Sequence, residues 1–252
     1  MRARRDCCTC SQSGCEALMN LWRKLLAEFV GTGLLLTIIV GSGIMAVLLA
    51  AGNDAIALLA NASATAAGLY VLITLLGPIS GAHFNPVVTL AMRWQGELTN
   101  GEAMGYIVVQ CVAAIAGVML THAMFGMPLV QVGIHARTGA ALWISEGLAT
   151  FGLLVTILLG RVHRPGAVPI LVAAYIFSAY WFTASTSFAN PAVTLARSLT
   201  QTFSGIRPED VAAFVVAQIA GGVVGMAVAC GFVAHDRRTS PKSNSAVTPA
   251  SR

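Results

Sequence analysis

The chain has 252 residues, 56% of them hydrophobic and only 10% charged. An ordinary soluble domain carries roughly 25% charged residues, so fifteen basic and ten acidic side chains are too few to cover a water-facing globule. The balance argues against a soluble enzyme, a DNA-binding domain and a disordered tail protein. A mean hydropathy of +0.76 points to a polytopic membrane protein. At about 20 apolar residues per crossing, the length suits six spans and not a transporter of about twelve.

Residues 1–21 read as a mobile cytoplasmic tail that holds Cys7, Cys8, Cys10 and Cys15. Thiolates suit soft ions, so a metal or metalloid clip is one reading. A reduced tail without a ligand is the other, and translation from Met19 a third. Apolar runs follow at about 25–49, 56–77, 103–124, 141–160, 168–184 and 211–234, all rich in Gly and Ala. Small residues let membrane helices approach closely. The first run is too long, and lacks the cleavage pattern, for a secretory signal. Cys111 and Cys230 lie inside apolar runs and read as packing residues. Residues 236–252 read as a polar tail.

The basic residues Arg2, Arg4, Arg5, Arg23 and Lys24 precede the first run, and Arg237, Arg238, Lys242 and Arg252 follow the last. In this composition they mark topology rather than nucleic-acid binding. Six crossings put both termini on one side, together with Arg161 and Arg164. The opposite segments 50–55 and 125–140 hold only Arg137. The positive-inside rule then predicts cytoplasmic N and C termini and a multi-pass protein of the plasma (inner) membrane.

The two halves repeat. Residues 84–91 read Phe-Asn-Pro-Val-Val-Thr-Leu-Ala and residues 189–196 read Ala-Asn-Pro-Ala-Val-Thr-Leu-Ala, identical at six of eight positions. Glu28 with Thr32 in the first run matches Glu146 with Thr150 in the fourth. Gln110 with Gly117 in the third matches Gln218 with Gly225 in the sixth. Each half, 22–125 and 140–235 of a domain spanning 22–235, therefore has three spans. An odd number inverts the second half in the membrane.

The apolar run after each Asn-Pro is too short to cross. Asn is a good N-cap and Pro is well placed at the first helical position, so Asn85-Pro86-Val87 and Asn190-Pro191-Ala192 each predict the start of a half-helix. The irregular loops before them, 78–84 and 183–189, are tolerated at membrane depth only where they line a cavity or are buried in protein. Inversion brings the two half-helix N-termini together near the midplane. Their positive dipole ends oppose cations, while the loop carbonyls and Asn N–H groups suit neutral hydrogen-bonding solutes. The prediction is an all-α membrane fold of six transmembrane helices and two re-entrant half-helices in an inverted repeat.

These marks, with Ala27-Glu28-Phe29 and Ser80-Gly81-Ala82-His83-Phe84-Asn85-Pro86-Val87, resemble the aquaporin or major intrinsic protein family across about 22–234. Pore selectivity of this kind is characteristic of aquaporins. Asn-Pro-Val in the first box departs from the family's usual Asn-Pro-Ala. The resemblance implies passive flow through each subunit of a homotetramer in the lipid bilayer, with no cofactor and no bound metal. For Glu28 and Glu146, a proton relay and a brace for loop N–H groups are both open, and their symmetry favours the brace. His83 is either a protonation gate or a hydrogen-bonded loop residue, and Gln110 and Gln218 are expected to bond loop backbone.

Counting from the family pattern puts the selectivity constriction at Thr65, Ser178, Ser187 and Val193, with Phe188 in place of Ser187 if the loop is shifted by one. The family's Arg after the second Asn-Pro-Ala is replaced by Val193, and the Asp that follows it in many glycerol channels by Thr194. Arg197 lies one turn further on the same face but about 6 Å deeper along the axis; partial substitution for the missing Arg is one reading, and a cap or pairing elsewhere is the favoured one. The resemblance therefore implies a wide, uncharged, hydroxyl-lined opening that passes water and larger neutral solutes such as glycerol, urea or metalloid acids. Bacterial relatives with Val in that position, some associated with arsenic resistance, add arsenite and methylated arsenicals. The alternatives are a secondary transporter with inverted repeats and a closed-pore junction relative. No Ser-His pair, metal cluster or phosphate loop suggests an enzyme.

Overall fold

The computed structural model describes residues 12–239, with side chains from 20 to 235. Cys7, Cys8 and Cys10 lie outside the described residues, as do the side chain of Cys15 and most of the polar C-terminal segment. The described residues form helices and connecting loops without a strand: α1 Gln12–Leu49, α2 Asp54–Ser80, α3 Pro86–Trp94, α4 Asn100–Met124, α5 Ala140–His163, a 3-10 turn Pro165–Ala167, α6 Val168–Phe182, α7 Pro191–Arg197 and α8 Pro208–Thr239. Helix α1 begins inside the segment expected to be tail.

Six of these helices are long and apolar enough to cross a membrane. Helices α3 and α7, of 9 and 7 residues, rise only about 14 and 10 Å, less than half of a hydrocarbon core of about 30 Å. Large apolar side chains stand exposed on the long helices, among them Leu75, Ile144 and Val216, as a lipid-facing surface requires. Following the crossings in order, α1 begins and α8 ends on one side, called the terminal side. The 81–85 loop enters from there, and the 183–190 loop enters from the far side.

Local chemistry sets the boundaries. Asn53 caps α2 by accepting from Ala55 N and Ile56 N at 3.1 and 3.2 Å. Thr99 and Glu102 form a reciprocal capping box on α4. Gly81, at φ +89°, ends α2 in the left-handed region that a Cβ disfavours.

Packing repeats across the two halves. Helix α1 packs on α2 and α4, and α5 on α6 and α8, while α2 meets α6 across the halves. Each half-helix also packs against the last helix of the other half, α3 on α8 and α7 on α4. Close approach at the α1–α4 crossing rests on Gly117, where a Cβ would collide with the Gly33 carbonyl. At the α5–α8 crossing Gly225 stands in the same way against the Phe151 carbonyl.

Candidate functional site

Asn85 and Asn190 both have extended backbone and cap their half-helices. Asn85 Oδ1 accepts from Val87 N at 2.9 Å. Asn190 Oδ1 accepts from Ala192 N and Val193 N at 3.0 and 3.3 Å. Each amide nitrogen crosses to the other loop: Asn85 Nδ2 donates to the Ala189 carbonyl at 2.8 Å, and Asn190 Nδ2 to the Phe84 carbonyl at 2.7 Å. The two half-helix N-termini are thus tied together at the centre of the molecule, and one N–H of each carboxamide is not used in the tie.

The loops behind them carry the same backbone distortion. Ala82 and Phe84 in the first loop, and Ser187 and Ala189 in the second, have φ between 48° and 52°. They stand at matching distances before their asparagines. A left-handed non-glycine residue costs roughly 1–2 kcal/mol, so the surroundings must impose it. The carboxylates do so. Glu28 accepts from Ser80 Oγ, His83 N, Phe84 N and Gln110 Nε2 at 2.7–2.9 Å. Glu146 accepts from Phe188 N and Ala189 N, both at 2.9 Å, and from Gln218 Nε2 at 2.6 Å. Each Gln also reaches the half-helix, Gln110 to Thr89 Oγ1 at 2.9 Å and Gln218 to Thr194 Oγ1 at 2.8 Å, so the two amides bond the carboxylates and these threonines and not, as expected, loop backbone. Both carboxylates are fully buried with their oxygens occupied by loop donors. His83 Nδ1 lies 3.2 Å from Thr89 Oγ1.

A cavity of about 660 Å³ runs past this centre. On the terminal side it reaches Glu97 and Arg161, which form an ion pair at 2.7 Å. Near the centre His83, Asn85 and Asn190 contribute to its wall. On the far side Thr65, Tyr180, Ser187, Phe188, Val193 and Arg197 line it.

Of the expected constriction residues, Thr65, Ser187 and Val193 are on this wall, and so is Phe188, the alternative to Ser187. Ser178 is not: it is exposed, and its hydroxyl donates to the Tyr175 carbonyl at 2.8 Å. Tyr180 takes that place, its hydroxyl 3.3 Å from Thr65 Oγ1. Two residues turn an α-helix by about 200°, which puts Ser178 on the opposite face of α6 from Tyr180. Pro86, Val87, Pro191 and Ala192 are absent from the lining. Val87 instead faces Gly222 of α8, where a Cβ would run into its side chain. Valine after the first Asn-Pro is accommodated by the missing side chain at 222.

The expectation of an uncharged wall is corrected by Arg197. It is 3% exposed and on the cavity wall, its Cζ 3.4 Å from the centroid of the Phe188 ring and its Nε donating to the Ser204 carbonyl. Helical side chains lean toward the N-terminus of their helix, so a long side chain from position 197 covers the preceding turn, toward Val193. Sequence reasoning also missed Arg137. Its N–H binds Asp210 Oδ2 at 2.7 Å, and its guanidinium donates to the carbonyls of Gly205, Ser185 and Phe203 at 2.8, 3.1 and 3.4 Å. It staples the far-side loops. Its signal in the sequence is its isolation, a lone Arg in the segment 125–140.

Comparison with known proteins agrees with this geometry. The family model described as Major intrinsic protein matches residues 16–186 and 165–251. The chain is 56% identical over 210 residues to an aquaglyceroporin, AqpS, of Rhizobium meliloti, covering 83% of this chain and 89% of that protein. It is 31% identical over 163 residues to an aquaporin, PIP2-7, of Arabidopsis thaliana, covering 60% of this chain and 58% of that one. The X-ray structure of the aquaglyceroporin from Plasmodium falciparum shares the fold at 18% identity, with a TM-score of 0.63 over 84% of this chain and 95% of that one. With six apolar spans, inverted halves and paired Asn-Pro half-helices around one cavity, the chain belongs to the major intrinsic protein family.

Proposed function

We propose that the protein is a passive transmembrane channel for water and small neutral solutes such as glycerol, urea and undissociated metalloid acids. The carrying observation is the cavity that passes both asparagines from the Glu97–Arg161 side to the Arg197 side. A solute crossing it meets N–H donors and loop carbonyls, and the facing half-helix N-termini oppose cations. Arsenous acid, a neutral centre bearing three hydroxyls, offers the same hydrogen-bonding groups as glycerol. Arsenite and methylated arsenicals therefore belong among the solutes to test. The similarity to proteins described as aquaglyceroporins supports the class.

A coupled transporter would need a free titratable group near the midplane. Glu28 and Glu146, with their oxygens on loop N–H and amide donors, are braces in this reading. Arg23, Lys24, Arg93, Arg161 and Arg164 on the terminal side, against Arg137 and Arg207 in the far-side loops, support cytoplasmic termini in the inner membrane. The exposed apolar faces would be covered by lipid and by sister subunits of a homotetramer.

The test is light scattering from vesicles containing the full chain, with water, glycerol, urea and arsenous acid. Shrinkage and recovery faster than in empty vesicles, unchanged when the proton gradient is collapsed, is the expected result. Flux that vanishes with the gradient means a coupled transporter, and no flux of any solute means a closed pore.

A further inference from the structure

We propose that Arg197 is the specificity-determining residue of this pore, and that with Ser187 it forms a docking point for oxygen-bearing neutral solutes at the far-side constriction. The proposal rests on the channel reading above and assigns to a second helical turn the charge that position 193 lacks.

Four observations carry it. First, Val193 and Arg197 are four residues apart on α7 and line the same cavity, as helical neighbours on one face. Second, the guanidinium is fixed rather than floating. It lies against the face of Phe188, and that ring is 4% exposed, sits edge-on to Phe214 with centroids 5.3 Å apart, and belongs to a residue whose N–H is held by Glu146.

Third, four of its five donors are unused. A guanidinium carries five N–H groups. That of Arg197 makes one hydrogen bond, from Nε to Ser204, and no ion pair among the described residues. Arg137 is the contrast, because its guanidinium meets three carbonyls. A buried cation without an ion-pair partner carries a large desolvation cost unless its free donors face water or a solute, and Arg197 is on the wall of the cavity, where they can. Fourth, the Ser187 hydroxyl on the same stretch of wall is buried and makes no hydrogen bond.

The chemistry of the solute follows. An uncharged molecule that carries an oxygen acceptor exchanges its water hydrogen bonds for Arg197 N–H donors and for the Ser187 hydroxyl, which can donate or accept. A cation of the same size finds a fixed positive charge.

Urea and guanidinium separate these cases, because they are planar solutes of similar size, one neutral with a carbonyl oxygen and the other a cation with an amino group in that place. Tracer uptake of each would be measured in vesicles holding the full-length protein, as wild type, Arg197→Met and Arg197→Lys. Wild type should admit urea and exclude guanidinium. Arg197→Met should raise the guanidinium-to-urea ratio about tenfold or more, and Arg197→Lys, which keeps the charge, should restore the wild-type ratio. If Arg197→Met fails to assemble, Arg197→Gln makes the same comparison. An unchanged ratio in the neutral variant overturns the assignment, as does wild type admitting guanidinium as readily as urea. Wild-type vesicles that pass neither water nor urea would instead overturn the channel reading itself.

Discussion

Replacing Glu146 by Gln tests whether the carboxylate, and not merely a polar side chain, holds the second re-entrant loop. The native oxygens accept three donors, Phe188 N on one oxygen and Ala189 N with Gln218 Nε2 on the other. Glutamine keeps one oxygen and puts an NH2 where the other stood, donor against donor. At least one buried N–H is then orphaned, at about 1–3 kcal/mol, and the remaining bond falls from charge-assisted to neutral, at about 1 kcal/mol. A total near 3 kcal/mol corresponds to about 6–12 °C of melting temperature for a chain of this size. The loss should also move function, because Phe188 is the platform under Arg197. Thermal unfolding of the purified protein checks the first effect, and the glycerol-to-water permeability ratio in vesicles the second. Glu28→Gln is the control: it should destabilise to a similar degree while leaving that ratio close to wild type, since its donors come from the other loop. A Glu146→Gln protein with native melting and native selectivity would refute the brace.

Gly222→Ala should cost about 1–3 kcal/mol by crowding Val87, and adding Val87→Ala should recover most of it, a coupling readable from melting temperatures of the four proteins. Val193→Arg would bring a second guanidinium to the far-side wall, so glycerol flux should fall by more than about tenfold while water flux falls less, read by light scattering. Arg137→Ala removes three donors to carbonyls of the far-side loops, and hydrogen exchange at 199–207 should speed up while the loop at 81–85 stays protected. By contrast, Glu97→Gln should change the melting temperature little, because the side chains of Arg161 and Glu97 are 40% and 43% exposed and such pairs contribute about 0–1 kcal/mol.

Symmetry made the interior of the site legible in the sequence. A Glu, a Gln and an Asn-Pro recur in both halves, and the structure joins each Glu to the loop beside it and each Gln to that Glu and to a threonine of the half-helix. Counting failed where it crossed a loop. The step from Asn190 back to Ser178 assumes a fixed path, but α6 starts from a 3-10 turn and ends at Phe182, and the residue on the wall is Tyr180. The place of Arg197 turns on a different point. Rise along the axis locates a Cα, whereas a long helical side chain acts over the turn before it. Arg137 had no local pattern at all, because its partners are carbonyls that are close only in the folded chain.

The two kinds of tie have different reach. The Glu braces and their Gln partners stay within one half of the chain, whereas each Asn amide clasps a carbonyl belonging to the other. A first half synthesised alone could shape its own loop but would hold out an amide with nothing to grasp. The passage therefore needs both halves, because its central tie and its wall are drawn from each. Two halves expressed as separate chains should regain the passage together, and neither should have it alone.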